Sequence, residues 1–208
     1  MWKGNTVSAD LAQADATARR PGRPRSEAAE HAIIEATLEL FAEGGVEGVC
    51  VEAVAAKAGV GKATIYRRWP GKEELLIHAI GSLKTALPEP KGASVRDDLI
   101  AIVELLVSDA ADPRYMRQFT MWMSEGQKYP RLMSMFKESV VEPNRRVIRG
   151  VLRRGVETGE LRPDIDVDLS MFCLTGTVMA RGKHGEDAFP AGFAEQLVDQ
   201  VLSGLAPR

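Results

Sequence analysis

Between Val51 and Trp69 the sequence sets two short apolar patterns of helical spacing on either side of Ala58-Gly59-Val60. Val51, Val54 and Ala55 share one face before the turn, and Ile65 and Trp69 share one face after it. Glycine accepts a positive φ that other residues resist, so Gly59 reads as the break between two helices. Val60 can pack beneath the turn and fix the angle between them. Helices this short are not stable alone in water, so the pair needs a platform. The preceding residues supply one. Ser26 suits an N-cap, Ile33, Ile34, Thr37, Leu38 and Phe41 recur at helical spacing, and Gly44-Gly45 ends the pattern. The third helix is expected over Lys62 to Arg68, closed by Trp69-Pro70-Gly71. A fourth follows from Lys72, with Leu75, Leu76, Ala79 and Ile80 inward.

The rest of the chain repeats the helical pattern. Ser94 and Asp97 suit a cap before Leu99, Ile102, Val103 and Leu106. Asp112-Pro113 is an N-cap followed by proline at the first helical position. A long helix is expected from Pro130 to about Thr158, with a kink or a break at Pro143. Asp166 caps another to about Ala180, and a last one runs from about Pro190 to Gly204. No period-2 strand pattern is present. The expected fold is all-α, with about nine helices. Pro88 and Pro90 suggest a boundary, giving a basic arm over 1–25, a helix-turn-helix unit over 26–84 and a second helical domain over 85–208. The first 18 residues are expected to be disordered, and Pro21 and Pro24 are expected to hold residues 19–25 extended.

The formal net charge of -2 is uninformative, but the distribution of charge is not. Residues 19–25 read Arg-Arg-Pro-Gly-Arg-Pro-Arg. From Ala53 to Lys72 the charges are Lys57, Lys62, Arg67, Arg68 and Lys72. A near-neutral chain can thus still present a basic face. In a helix-turn-helix the second short helix lays its N-terminal residues in the major groove of double-stranded DNA. Lys62, Ala63, Thr64, Tyr66 and Arg67 are the candidates to reach outward. Lys62 and Lys72 each begin a helix, where a phosphate is favoured. Tyr66 can donate to phosphate, and Arg67 or Arg68 can reach guanine or the backbone.

Ile33 to Ile80 resembles the N-terminal domain of the tetracycline-repressor family. The resemblance rests on Ile-Ile-Glu-Ala-Thr-Leu-Glu-Leu-Phe-Ala-Glu-Gly-Gly, then on Ala-Ala-Lys-Ala-Gly-Val-Gly-Lys-Ala-Thr-Ile-Tyr-Arg-Arg-Trp-Pro-Gly-Lys-Glu-Glu-Leu from Ala55 to Leu75. It implies that Thr64 and Tyr66 touch DNA and that Lys72 pairs with phosphate. It also implies a helical effector-binding domain and a homodimer. Two residues depart from the pattern. Cys50 stands where the family usually has Thr or Ser, and a thiol is expected to cap poorly. Gly61 replaces a frequent hydroxyl cap. Gly22-Arg23-Pro24 resembles the centre of an AT-hook. Arg23 and Arg25 are expected at DNA, either in a narrow minor groove or on phosphates.

Other chemistries fail on residue type. Gly59-Val60-Gly61-Lys62-Ala63-Thr64 lacks the first glycine of a phosphate loop, because Ala56 stands there, and Thr64 replaces the third glycine of a dinucleotide fingerprint. His31, His78 and His184 form no metal spacing. No catalytic constellation, metal site or cofactor is expected, and the chain is not expected to be an enzyme. Cys50 and Cys173 lie far apart, which fits a reducing compartment and an expected cytoplasmic location. No apolar run is long enough to span a membrane.

Met116, Phe119, Trp122, Met123, Phe136 and Phe172 are candidates to line a pocket for a small apolar or amphipathic effector. Core packing is the bland alternative for these side chains. The last helix carries an apolar stripe of Phe193, Leu197, Val198, Val201 and Leu202, and the helix before it is apolar nearly all round. These two are expected to form the dimer interface. The expected function is a transcriptional regulator, a repressor that an effector releases from a palindromic operator. A ligand-free DNA-binding protein and a helical enzyme are the rivals.

Overall fold

The computed structural model describes residues 23–92, 94–185 and 188–205. The described elements are all helical. They run α1 (Arg23–Gly48), α2 (Val51–Lys57), α3 (Lys62–Tyr66), α4 (Lys72–Gly81), α5 (Val95–Ala111), α6 (Pro113–Gly126), α7 (Pro130–Phe136), a π-turn (Lys137–Val141), α8 (Glu142–Thr158), α9 (Val167–Gly182) and α10 (Phe193–Ser203). From α7 through α8 the chain is one continuous rod, so the described residues hold nine helices as expected. Pro143 has no N–H for the carbonyl four residues back. The rod passes this point by widening into the π-turn just before it, a kink and not a break.

The N-terminal boundary differs from the expectation. Arg23, Pro24 and Arg25 form the first turn of α1 and are not extended, and Ser26 lies inside the helix. Proline is tolerated there because the first N–H groups of a helix have no intrahelical acceptor. Residues 1–22, the rest of the expected arm, lie outside the described residues, as do the side chains of Arg23 and Arg25. At the other end, the helical backbone of α1 breaks at Gly44 and Gly45, the latter at φ 63°. A further turn then reaches Gly48.

Beyond α1, three of the expected caps form. Ser94 accepts from the N–H of Asp97, Asp112 from Arg114 and Asp166 from Leu169. Two apolar cores result. The first gathers α1 to α4 around Phe41, Ile65 and Leu75, but it also takes in Trp122 from α6 and Leu132 and Phe136 from α7. The second joins α5, α8, α9 and α10 around Leu99, Leu152, Met171 and Val198. The α1–α4 unit therefore shares its core with α6 and α7. The two halves also share polar ties. Arg114 meets Glu35 at 2.5 Å, and Tyr129 donates to Glu47 at 3.0 Å.

Candidate nucleic-acid interface and effector cavity

The turn between α2 and α3 is built as its glycine requires. Gly59 sits at φ 65°. Its N–H donates to Ala56, and Val60 N–H donates to Ala55 at 3.0 Å. This reciprocal pair closes α2 with a left-handed residue. Val60 packs against the first core. Cys50 does cap α2, against expectation: its Sγ accepts from Ala53 N–H at 3.4 Å. Sulfur is a weak acceptor, but the extended backbone of Cys50 presents it to that donor. Gly61 begins α3 with no side-chain cap.

α3 divides as expected into inward and outward residues. Ile65 and Trp69 are buried, while Lys62, Ala63 and Arg67 are exposed and Tyr66 is 51% exposed. Thr64 is half-buried beside them. The cations are less uniform than the sequence suggests, because glutamates of α1 and α2 reach several of them. Lys57 meets Glu39 at 2.9 Å and Glu43 at 3.2 Å. Those bonds raise its pKa above the ordinary lysine value. Lys62 meets Glu52 at 3.1 Å, which lowers the Glu52 pKa chiefly through that hydrogen bond. Arg68 lies half-buried with Glu30 at 3.5 Å. Arg67 and Lys72 have no carboxylate within ion-pair distance among the described residues.

A cavity of about 370 Å³ lies inside the second half of the chain. Phe119 and Met123 of α6, Phe136 of α7, Val141 of the π-turn and Met179 of α9 line it. Three of the six expected pocket residues are thus in place and three are not. Met116 is buried in the second core, against Gly182. Trp122 is buried in the first core, with its ring 6.0 Å from Phe41 and 5.0 Å from Phe136. Phe172 is 46% exposed on α9, beneath the guanidinium of Arg145 at 4.9 Å. Helical spacing sets these side chains on helix faces, but not which neighbour each face meets. Phe136 is the residue that belongs to both settings, since it lines the cavity and packs on Trp122.

Residues 33–79 match the profile of bacterial regulatory proteins of the tetR family, and residues 89–201 match the tetracyclin repressor-like C-terminal domain. The chain belongs to the TetR family. An HTH-type transcriptional regulator of Mycobacterium tuberculosis is 32% identical over 184 residues, which cover 88% of each chain. The HTH-type regulator YdeS of Bacillus subtilis is 29% identical over 187 residues, 88% of this chain and 93% of YdeS. Among solved structures, the flavonoid-responsive regulator FrrA superposes with a TM-score of 0.67 at 24% identity, over 86% of this chain and 98% of FrrA. The protein is therefore a TetR-family transcriptional regulator with a DNA-binding helix-turn-helix. Regulators of this family are not enzymes. Among the described residues no helix is long and apolar enough to cross a membrane.

Within this TetR architecture one of the expected dimer residues, Val198, needs correction. Val198 is 0% exposed, inside the core of its own chain. Phe193, Leu197, Val201 and Leu202 are partly buried against the same core. α10 is docked on α5, where Arg96 grips Asp199 through two bonds of 2.6 and 2.9 Å. The apolar face left outside belongs to α9. Leu169 is 61% exposed and Phe172 46%, with Cys173, Gly176 and Ala180 exposed beside them. The α10 stripe is covered, in part, by α5 of the same chain.

Proposed function

We propose that this TetR-family regulator binds a palindromic operator as a homodimer, acts as a repressor, and is released by a small apolar or amphipathic effector. The observation that carries this reading is the shared wall. Phe136 borders the cavity and touches Trp122, which touches Phe41 of the DNA-binding unit. A molecule entering the cavity therefore meets a side chain packed into the core that positions α3. Outward Tyr66 and Arg67 and the start of α4 at Lys72 supply the DNA-facing groups. Thr64, Ala63 and Lys62 complete the edge that reads the groove. Arg68, held on Glu30, acts as a brace between α3 and α1.

The exposed apolar stripe of α9 supports the dimer. A partner's α9, with the flanks of α10, would cover it by two-fold symmetry. Two recognition helices one helical turn of DNA apart then read a palindrome. FrrA, a solved structure of the same fold, is described as flavonoid-responsive, which supports a small-molecule effector here. Here the effector works only through its differential affinity for the DNA-bound and free states.

In vitro selection from a random DNA pool tests the proposal directly. The expected result is one inverted repeat with half-sites about one turn apart. Recovery of a single half-site, or no enrichment at all, refutes it.

A further inference from the structure

We infer that the effector is an amphipathic anion whose acidic group is held by Lys84 and Tyr115. This rests on the reading of the 370 Å³ cavity as the effector site. The described residues lining that cavity include three cations, Lys84, Lys137 and Arg145, and no carboxylate. The wider cleft beside it, about 910 Å³ between α4 and the α7–α8 rod, carries both signs, with Glu74 and Glu138 beside Arg68 and Lys84. The charge selectivity is thus particular to the inner cavity.

The three cations differ in what already occupies them. Arg145 is engaged, with Glu142 at 3.1 Å and the ring of Phe172 beneath it. Lys137 is exposed. Lys84 is half-buried, lines both cavities, and has no carboxylate within ion-pair distance among the described residues. Burial is the largest influence on it and lowers its pKa, with Asp109 raising and Arg145 further lowering it. A desolvated ammonium without a close partner is costly, and an incoming anion relieves that cost.

Tyr115 supplies the second donor. It is 3% exposed and lines the same cavity, yet its phenol makes no hydrogen bond among the described residues. Burial and then Asp109 push its pKa above the ordinary value, so it stays a neutral O–H donor. Lys84 and Tyr115 both line this one cavity, so a single bound molecule can meet the two donors. Asp109 itself does not line the cavity. Its carboxylate accepts from the hydroxyl of Thr85 at 2.7 Å and from the Thr85 N–H. The remaining wall, with Phe119, Met123 and Phe136, suits an apolar body.

The location of the anchor gives it leverage. Lys84 follows the end of α4 by one turn, and its N–H donates to Gly81 at 3.1 Å. An anion held there is tied to the helix that starts at Lys72, beside the DNA.

Isothermal titration of the full chain tests this with matched probes: decanoate against decanol, and naphthoate against naphthamide. The anion of at least one pair is expected to bind at least about tenfold tighter than its neutral partner, the lower range of a charge-assisted hydrogen bond. Lys84→Met and Tyr115→Phe should each weaken the anion and leave the neutral probe unchanged, while Lys84→Arg should retain most of the preference. Tyr115→Phe removes a single oxygen and serves should Lys84→Met fail to fold. Equal binding of anion and neutral probe overturns the inference and leaves the cavity reading standing. Binding of none of the four overturns both.

Discussion

Gly45→Ala should destabilise the protein more than Gly59→Ala, although the two glycines have nearly the same φ, 63° and 65°. Gly45, at φ 63° and ψ -157°, lies in a region almost exclusive to glycine, where an L-residue costs roughly 1–3 kcal/mol, and at Gly59 the left-handed backbone costs one roughly 1–2 kcal/mol. At Gly59 that is the whole effect, because a Cβ there meets nothing within 4 Å. At Gly45 the Cβ would lie 2.7 Å from Oε2 of Glu125. That oxygen is held, because it accepts from Val46 N–H at 3.3 Å while the other oxygen of the same carboxylate pairs with Lys128 at 2.7 Å. The new methyl must push the carboxylate away. Leaving the N–H of buried Val46 without its acceptor costs about 1–3 kcal/mol more.

The expected loss is therefore about 1–2 kcal/mol for Gly59→Ala and about 2–6 kcal/mol for Gly45→Ala. Urea denaturation followed by circular dichroism measures both at equilibrium. A double variant isolates the cause: with Glu125→Ala in the background, adding Gly45→Ala should cost only the strain term. Equal losses for the two single variants would show that Glu125 does not pin the end of α1. So would an unchanged cost of Gly45→Ala after Glu125 is removed. The contact matters because it joins α6 of the effector half to the last turn of α1.

Three further outcomes are expected. Lys72→Ala and Tyr66→Phe should weaken binding to the selected operator and to unrelated DNA by similar factors, and Lys72→Ala should flatten the log-affinity against log-salt slope by about 0.9; an unchanged slope excludes a phosphate contact. Asp98 accepts from Arg154 at 2.6 Å and from the N–H groups of Lys91 and Gly92; burial, the largest single influence, raises its pKa, but these bonds together hold it below the usual value. Its contribution, about 1.5–3 kcal/mol, is thus present above the unfolded pKa of about 3.9 and lost as pH falls through the lower folded value, so stability curves of wild type and Asp98→Ala should converge only in that acid range; convergence already at pH 6 contradicts the assignment. Leu169→Asp should give a folded monomer by sedimentation, whereas Val198→Asp should unfold the chain, because it buries a carboxylate among apolar side chains; a folded monomeric Val198→Asp would place that residue at the surface.

Legibility in the sequence followed the range of the forces involved. Caps and turns are local, and Ser94, Asp112, Asp166 and Gly59 all stand where short-range chemistry puts them. Helix faces were legible too, since Ile65, Leu75 and Leu76 are all buried. What one face meets is a long-range fact. Trp122 and Met123 are adjacent in sequence, yet one enters the first core and the other faces the cavity. The reading of Val198 failed in the same way. An apolar stripe demands a cover, but α5 and a second chain satisfy that demand equally in sequence. The cations of residues 53–72 show a third case. They count as a basic face in sequence, which does not say which acidic side chains lie opposite them. At 3.6 residues per turn Glu39 and Glu43 stack on one face, and only the fold shows that this face looks toward Lys57.

Ion pairing along α1 bears on how the DNA-binding unit holds its shape. Glu30 braces Arg68 at the end of α3, Glu39 and Glu43 hold Lys57 at the end of α2, and Glu35 holds Arg114 at the start of α6. Exposed pairs of this kind add little stability each. Their more substantial effect is on orientation, since one helix thereby touches both short helices and the effector half. Phe41 on that same helix packs on Trp122, and Trp122 on Phe136 at the cavity wall. On the proposed reading, an effector that displaces the Phe136 ring disturbs a close-packed column, which transmits displacement because it contains little free space. The column ends on α1, so the displacement reaches α2 and α3 together. A shift of that one helix alters the position of both recognition elements without either losing its internal hydrogen bonds.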